Sequence, residues 1–218
     1  MTPPAGLAGD DRARLAELAP VMRRAADLDP SSLARLRLTP ASGSVFARLP
    51  FGVLVSRTVD AAARPEPLDR TVSATQALDW LEGTRPDPPE SRDVDWRGGV
   101  PPATGWRRIE VVPDHVVRGL VRSGATALQD AAAREGVPGA QPRAEVADAL
   151  LDSIVLTVSD DTGAEATVTL RTLSALTRMG FLPRGGAAAV DVAGRWTRVA
   201  AGYGSVLVER PGAGLALV

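Results

Sequence analysis

The chain reads as an α+β protein: mainly antiparallel strands, arranged as hairpins and a C-terminal meander, packed against about four to six helices. Three observations predict this. Apolar residues alternate with a period of two in neighbouring runs around turn residues, at 44–59, 154–170 and 187–210. Between them lie segments with three- and four-residue apolar spacing. The strands arrive as hairpins rather than in β-helix-β alternation, which argues against a doubly wound parallel sheet.

The elements follow in order. Over Asp10–Leu28, Leu15, Leu18, Met22 and Ala25 share one helical face, and Asp10 and Asp11 suit the positive end of the dipole. Pro20 interrupts this stretch, giving a kink or two short helices. Asp29-Pro30-Ser31-Ser32 reads as a turn or new N-cap, with Leu33, Leu36 and Arg37 on a short helix after it. The runs from Ser44 to Val59 form a hairpin around Pro50-Phe51-Gly52. Ser73-Ala74-Thr75-Gln76 has a capping-box pattern and opens a helix carrying Leu78, Trp80 and Leu81, stopped by Gly83.

Residues 84–105 hold Pro86, Pro88, Pro89, Pro101, Pro102, Gly98, Gly99 and Gly105, a density that regular structure does not survive. This stretch is either a long loop within one continuous domain or the linker between an N-terminal segment, 1–83, and a C-terminal α+β unit, 106–218. Trp106–Val112 then reads as a strand, and Pro113 and Asp114 as the start of a long helix to about Arg134. Val117, Leu120, Val121, Leu128 and Ala132 make its apolar stripe, with Leu120 and Leu128 expected in the core and Gly136 as the stop. A second helix spans Pro142–Asp152. Ile154–Val158 and Ala166–Leu170 pair around an acidic turn. Arg171–Met179 is a helix with Leu173, Leu176 and Met179 inward, and Ala187–Val192, Trp196–Ala201 and Ser205–Arg210 form the meander. No internal repeat is visible in the sequence.

Composition narrows the chemistry. At 218 residues the chain fits one domain or two small ones. Aromatics make up only 4%, so the core must be built of Val, Leu and Ala. A net charge of −1 provides no global field for nucleic acid or anionic lipid. All 25 basic residues are arginine; lysine, cysteine and asparagine are absent, and His115 is the single histidine. That removes Schiff-base lysines, thiolate nucleophiles, cysteine zinc clusters and two-histidine sites. No secretory leader is expected, and apolar runs break well before the ~18 residues of a membrane span. A soluble cytoplasmic protein without cofactor, metal or membrane contact is the expectation.

No phosphate-binding loop can form without lysine, and Ser42-Gly43-Ser44 and Tyr203-Gly204-Ser205 lack the strand–elbow–helix setting of a serine nucleophile. Asp160, Asp161 and Glu165 are too closely spaced for a calcium loop and read as a solvated hairpin tip. His115, beside Asp114 in a helix's first turn, is a candidate base or pH-sensitive contact. The segment 166–208 carries five arginines against the single acid Asp191, a local excess of +4. Arg171, Thr172, Arg178, Arg184, Arg195 and Arg198 are its candidate nucleic-acid contacts, on a helix followed by a Gly-turned hairpin. The strand reading of Ile154–Val158 opposes a helix-turn-helix there. Arg171, Arg178 and Arg198 are expected to face solvent. Chemistry offers little else, so the leading reading is a non-catalytic protein acting through a binding surface, on a protein partner or on itself. A nucleic-acid-binding regulator using 166–208 comes second, and an enzyme built on carboxylates, Arg and His115 third.

Overall fold

A computed structural model describes residues 9–50, 52–61, 67–134 and 140–210. The chain divides into two compact units, Met1–Val100 and Pro101–Val218. The antiparallel α+β architecture anticipated from the sequence is present, with six α-helices and ten strands among the described residues.

In the first unit, helices α1 (Gly9–Ala16) and α2 (Ala19–Leu28) are separate, with Pro20 in the first turn of α2, where its missing N–H costs nothing. Leu15, Leu18, Met22 and Ala25 are all buried. Strands β1 (Leu33–Leu38), β2 (Ser42–Arg48) and β3 (Leu54–Asp60) form an antiparallel meander, and β4 (Leu68–Ser73) pairs antiparallel with the outer side of β1. Helix α3 (Ala74–Glu82) follows β4 directly and packs on α2. It ends at Gly83 in the left-handed region, φ 83°, a conformation that costs a glycine no Cβ clash.

Two expectations fail in this unit. Leu33–Leu38 is a strand, not a short helix: Ala34, Leu36 and Leu38 turn inward and alternate with Leu33, Arg35 and Arg37. Asp29 does cap the preceding turn, accepting from the Ser31 N–H at 2.8 Å and the Ser31 hydroxyl at 2.7 Å, but the turn feeds a strand. Ser73 precedes α3 without a side-chain cap, and its hydroxyl pairs with that of Thr75 instead. The strand β4 that ends at Ser73 was not anticipated.

In the second unit, β5 (Arg107–Pro113) runs straight into α4 (Asp114–Arg134), followed by α5 (Ala140–Leu151) and a separate hairpin, β6 (Ile154–Ser159) and β7 (Glu165–Thr169). Helix α6 (Leu170–Arg178) then leads into the meander β8 (Ala187–Ala193), β9 (Trp196–Ala201) and β10 (Gly204–Glu209), and β5 pairs with the outer side of β8. Leu173, Leu176 and Met179 are buried as expected. Phe51, Gly136, and the residues before Gly9 and after Arg210 lie outside the described residues.

The long helix corrects a further expectation. Only Val117 of its predicted stripe is buried; Leu120, Val121 and Leu128 are half-buried, and the side chain of Ala132 is not among those described. The cause is a mismatch in length. Helix α4 has 21 residues and α6 has 9, about 31 and 13 Å. The two run antiparallel: Arg118 donates to the Leu182 carbonyl just past the end of α6, while Gly124 faces Leu170 at its start. Beyond Gly124 no turn of α6 remains to cover α4. A Cβ on Gly124 would lie 2.4 Å from Leu170, so glycine is what permits the approach.

The units repeat one plan that the sequence conceals. In each, three consecutive strands form a meander, a fourth pairs antiparallel with the first of the three, and that fourth strand runs directly into a helix. A second helix precedes the meander and packs against the helix that follows the edge strand. The chain order of these matching elements differs, and unit two also carries α5 and the β6–β7 hairpin. The meander comes first in unit one (α2-β1-β2-β3, then β4-α3) and last in unit two (β5-α4, then α6-β8-β9-β10).

Residues 84–105 contain no strand or α-helix, only a 3-10 turn at Asp93–Asp95. Part of this stretch lies along the outer edge of β4. The Arg92 N–H donates to the Thr71 carbonyl at 2.7 Å, and the Thr71 N–H donates to the Asp93 carboxylate at 2.6 Å. Arg70 reaches the Pro89 carbonyl, and Arg48 lies over the Trp96 ring. Asp93 thereby imitates a paired strand.

Two outcomes follow. Leu176→Ala should lower unfolding free energy by about 2–5 kcal/mol, whereas Leu128→Ala should cost under about 1 kcal/mol, as half-exposed sites usually do; denaturant titration of both variants checks the assignment. The Ser91 hydroxyl and then the Thr71 N–H hold the Asp93 carboxyl below its usual range. A lowered folded value contributes stability above the ordinary carboxylate pKa near 3.9, lost as pH falls through the folded value. The Thr71 amide shift should therefore titrate with a midpoint below about 3.9, and loss of its bond to Asp93 should release residues 89–95 from β4 at acid pH only.

Candidate functional site

Arginine carries most of the unusual chemistry of this chain, and the structure shows what each guanidinium does. At the seam between the edge strand and the first meander strand, each unit holds a carboxylate between two arginines. In unit one, Asp69 on β4 accepts from Arg35 at 2.6 Å and from Arg37 at 3.3 Å, both on β1, and Arg37 also lies over Phe46. In unit two, Asp191 on β8 is 2% exposed; it accepts from Arg198 on β9 at 2.7 Å and from Arg108 on β5 at 3.1 Å. Arg198 stacks on Trp106, with its guanidinium carbon 4.2 Å from the ring centroid. A buried carboxylate is tolerable only with such charge-assisted partners.

The six arginine-segment candidates do not converge. Arg171 was expected to face solvent, but its side chain is only 13% exposed. Asp152 accepts its Nε–H at 2.7 Å and Asp148 its Nη2–H at 3.0 Å, so it fastens α5 to α6, and these partners raise its pKa. Arg198 is likewise committed, to Asp191 and Trp106, rather than solvent-facing. Thr172 is buried; its N–H donates to the Thr169 hydroxyl, which caps α6. Arg195 is exposed and pairs with Glu209. Arg178, at the end of α6, and Arg184, in the following turn, are exposed, and no ion pair of either occurs among the described residues. Strand β7 immediately precedes α6, so no helix-turn-helix is formed.

His115 is exposed in the first turn of α4. Its neighbour Asp114 is engaged: it accepts from the Gly185 N–H at 3.0 Å and from Arg118, and these bonds, the Gly185 one foremost, hold its carboxyl below the usual range. Asp160 is similarly occupied. The Thr162 hydroxyl donates to it at 2.6 Å, the Thr162 and Ala164 N–H groups at 2.9 and 3.0 Å, and Arg107 at 2.7 Å. The acidic hairpin tip is a turn lock whose carboxyl sits below its usual range, the Thr162 hydroxyl being the main cause. Among the described residues no group of three His, Asp or Glu could hold a metal ion, and no helix is long and apolar enough to cross a membrane.

Asp69, Asp148 and Asp152 lie 19 or more residues from the arginines they bind, and Asp191 lies 83 from Arg108 though 7 from Arg198; strand register and helix packing bring them close. The alternation of Arg35 and Arg37 was the one local signal for a paired outer face.

Comparison with known proteins bears on the fold. The chain resembles a DNA polymerase sliding clamp from Caulobacter crescentus, at 14% identity and a TM-score of 0.54, over 91% of this chain and 63% of the clamp. It also resembles the DNA polymerase III subunit beta sliding clamp of Bartonella birtlesii (11%, TM-score 0.51, 93% and 64%) and the beta subunit of DNA polymerase III from Thermotoga maritima (11%, 0.50, 92% and 64%). It spans less than two thirds of the length of these clamps. No curated protein matches it in sequence. A model of one domain of unknown function, DUF8010, matches residues 2–98. A second, DUF8185, matches residues 101–213, more than half of the chain, and the protein belongs to that DUF8185 family of unknown function.

Proposed function

We propose that the protein is a non-catalytic scaffold that works by holding other macromolecules against its surface. The observation that carries this reading is the sliding-clamp fold extending over 91% of the chain. The support is a fold-level analogy, strengthened by the state of the polar groups. Asp69, Asp114, Asp160 and Asp191 are each bound to arginines or backbone N–H groups of the same chain, a structural use rather than a reactive one. Capture of partners from lysate by the intact chain, with and without nuclease, tests it. The expected result is a reproducible, nuclease-resistant protein partner, or a concentration-dependent rise in the mass of the chain alone. A monomer that retains neither protein nor nucleic acid overturns it.

DNA is the second reading, favoured by the exposure of Arg178 and Arg184 without an ion pair among the described residues. Its test differs from a simple charge count, because Arg171 is structural. Replacing Arg171 by Gln should release α5 and confuse binding with stability. Arg178→Gln with Arg184→Gln should leave thermal stability unchanged. If these residues touch phosphates, the double variant should weaken duplex binding and flatten the log–log salt dependence by up to about two counterion units. Fluorescence anisotropy with a duplex at two salt concentrations measures both; equal curves for wild type and variant remove DNA from these arginines.

A further inference from the structure

We infer that residues 89–95 form a guard strap, a built-in contact that keeps the outer edge of β4 from pairing with the β4 edge of a second copy. The inference concerns self-association through unit one and stands independently of the scaffold reading.

The edge has usable backbone. Pairing with β1 sets Thr71 opposite Arg35, yet the Thr71 N–H and C=O both bond to the strap, so they point away from β1. In an antiparallel strand such groups recur at every second residue, which gives Asp69 and Ser73 the same outward direction. An edge of this kind is a template for another strand. The strap closes it at its centre. Arg92 gives its N–H to the Thr71 carbonyl at 2.7 Å, the Asp93 carboxylate takes the Thr71 N–H at 2.6 Å, and Arg70 donates to the Pro89 carbonyl at 2.9 Å. The strap offers no new edge in exchange: Pro86, Pro88 and Pro89 lead into it, and a 3-10 turn at Asp93–Asp95 follows.

The hold is polar and local. Pro89 is buried, but residues 90–94 are exposed and Val94 is 87% exposed, so past Pro89 the strap rests on hydrogen bonds. The Ser91 hydroxyl donates to the second oxygen of Asp93 at 2.5 Å and orients the carboxylate. Few bonds suffice, because a short tether from the end of α3 holds the strap at an effective concentration of about 1 mM, above that of a second copy in dilute solution. Without the strap the edge is self-complementary. A two-fold axis at Thr71 sets that residue opposite its own counterpart, Asp69 opposite Ser73 and Arg70 opposite Val72. No like charges face each other, and paired threonines are favourable across strands.

The test uses the full chain, its Asp93→Ala variant, and a chain in which a Gly-Ser stretch of equal length replaces residues 89–95. Sedimentation from micromolar to millimolar concentration gives the mass. The protein has no cysteine, so a single Thr71→Cys substitution in each background reports the register. In the two-fold pair the Cα atoms at position 71 stand about 5.5 Å apart, within disulfide reach. Both strap variants should gain mass with concentration relative to wild type, and under mild oxidation Thr71→Cys should cross-link in them and not beside the intact strap. In dilute Asp93→Ala the Thr71 amide should exchange as an unpaired one. Should the Gly-Ser chain fail to fold, Asp93→Ala decides, since it alters only an exposed side chain. Strap variants that keep the wild-type mass, a mass gain without the cross-link, equal cross-linking with and without the strap, or a Thr71 amide still protected in dilute Asp93→Ala overturns the proposal.

Discussion

The buried carboxylate of Asp191, gripped by Arg108 and Arg198, is the interaction on which the sheet of the second unit depends, and the more exposed Asp69 repeats the arrangement in the first. The chain has little else for the purpose. With 4% aromatics and no lysine, cysteine or asparagine, it cannot staple its outer sheet faces with aromatic clusters or disulfides. Asp69 joins β4 to β1 through Arg35 and Arg37, and Asp191 joins β8 to both β5 and β9 through Arg108 and Arg198. Arginine suits this role because its planar fork can bind a carboxylate and stack on a ring at the same time. Arg37 over Phe46 and Arg198 over Trp106 do both. The exposed pairs among these are worth little singly. The buried Asp191 matters more, because a carboxylate at 2% exposure must be satisfied or else not be there.

The inner faces are built from small and branched side chains, and close approach compensates for their size. Gly124 against Leu170 brings α4 onto α6, and Gly43 lies beneath Leu15 in the first unit. Above this layer the two units follow the same plan with their halves in opposite chain order. Such a repeat leaves no sequence period, since the matching elements are neither collinear nor equally spaced. That is why no repeat was visible in the sequence, although the antiparallel α+β class, the split at Pro20, the hairpins, the final meander and the inward stripe of α6 all were.

The failures have local causes. LARLRL satisfies a strand period through Ala34, Leu36 and Leu38, but the Asp-Pro-Ser-Ser turn before it also suits a helix start, and that signal misled. Strand β4 is short and carries Asp69 and Arg70, so it shows no apolar alternation until its pairing with β1 is known. The stripe of α4 is genuine in pattern, yet its length exceeds that of the helix beside it, and length of cover is a tertiary property. Among the candidate residues, the exposure of Arg178 was legible from the α6 stripe. The commitment of Arg171 to Asp148 and Asp152, and the burial of Thr172 at a helix cap, were not, because both depend on where neighbouring elements end.

The two edge strands are finished differently: Arg92 and Asp93 bond to Thr71 on β4, while the Val111 N–H on β5 donates to the exposed side chain of Glu110. Residue-resolved hydrogen exchange of the free protein measures that difference directly. The Thr71 amide should exchange as slowly as the paired amides of β1, and the Val111 amide should exchange far faster than its neighbours Glu110 and Val112. Equal protection of Thr71 and Val111, or slower exchange at Val111, would contradict the account.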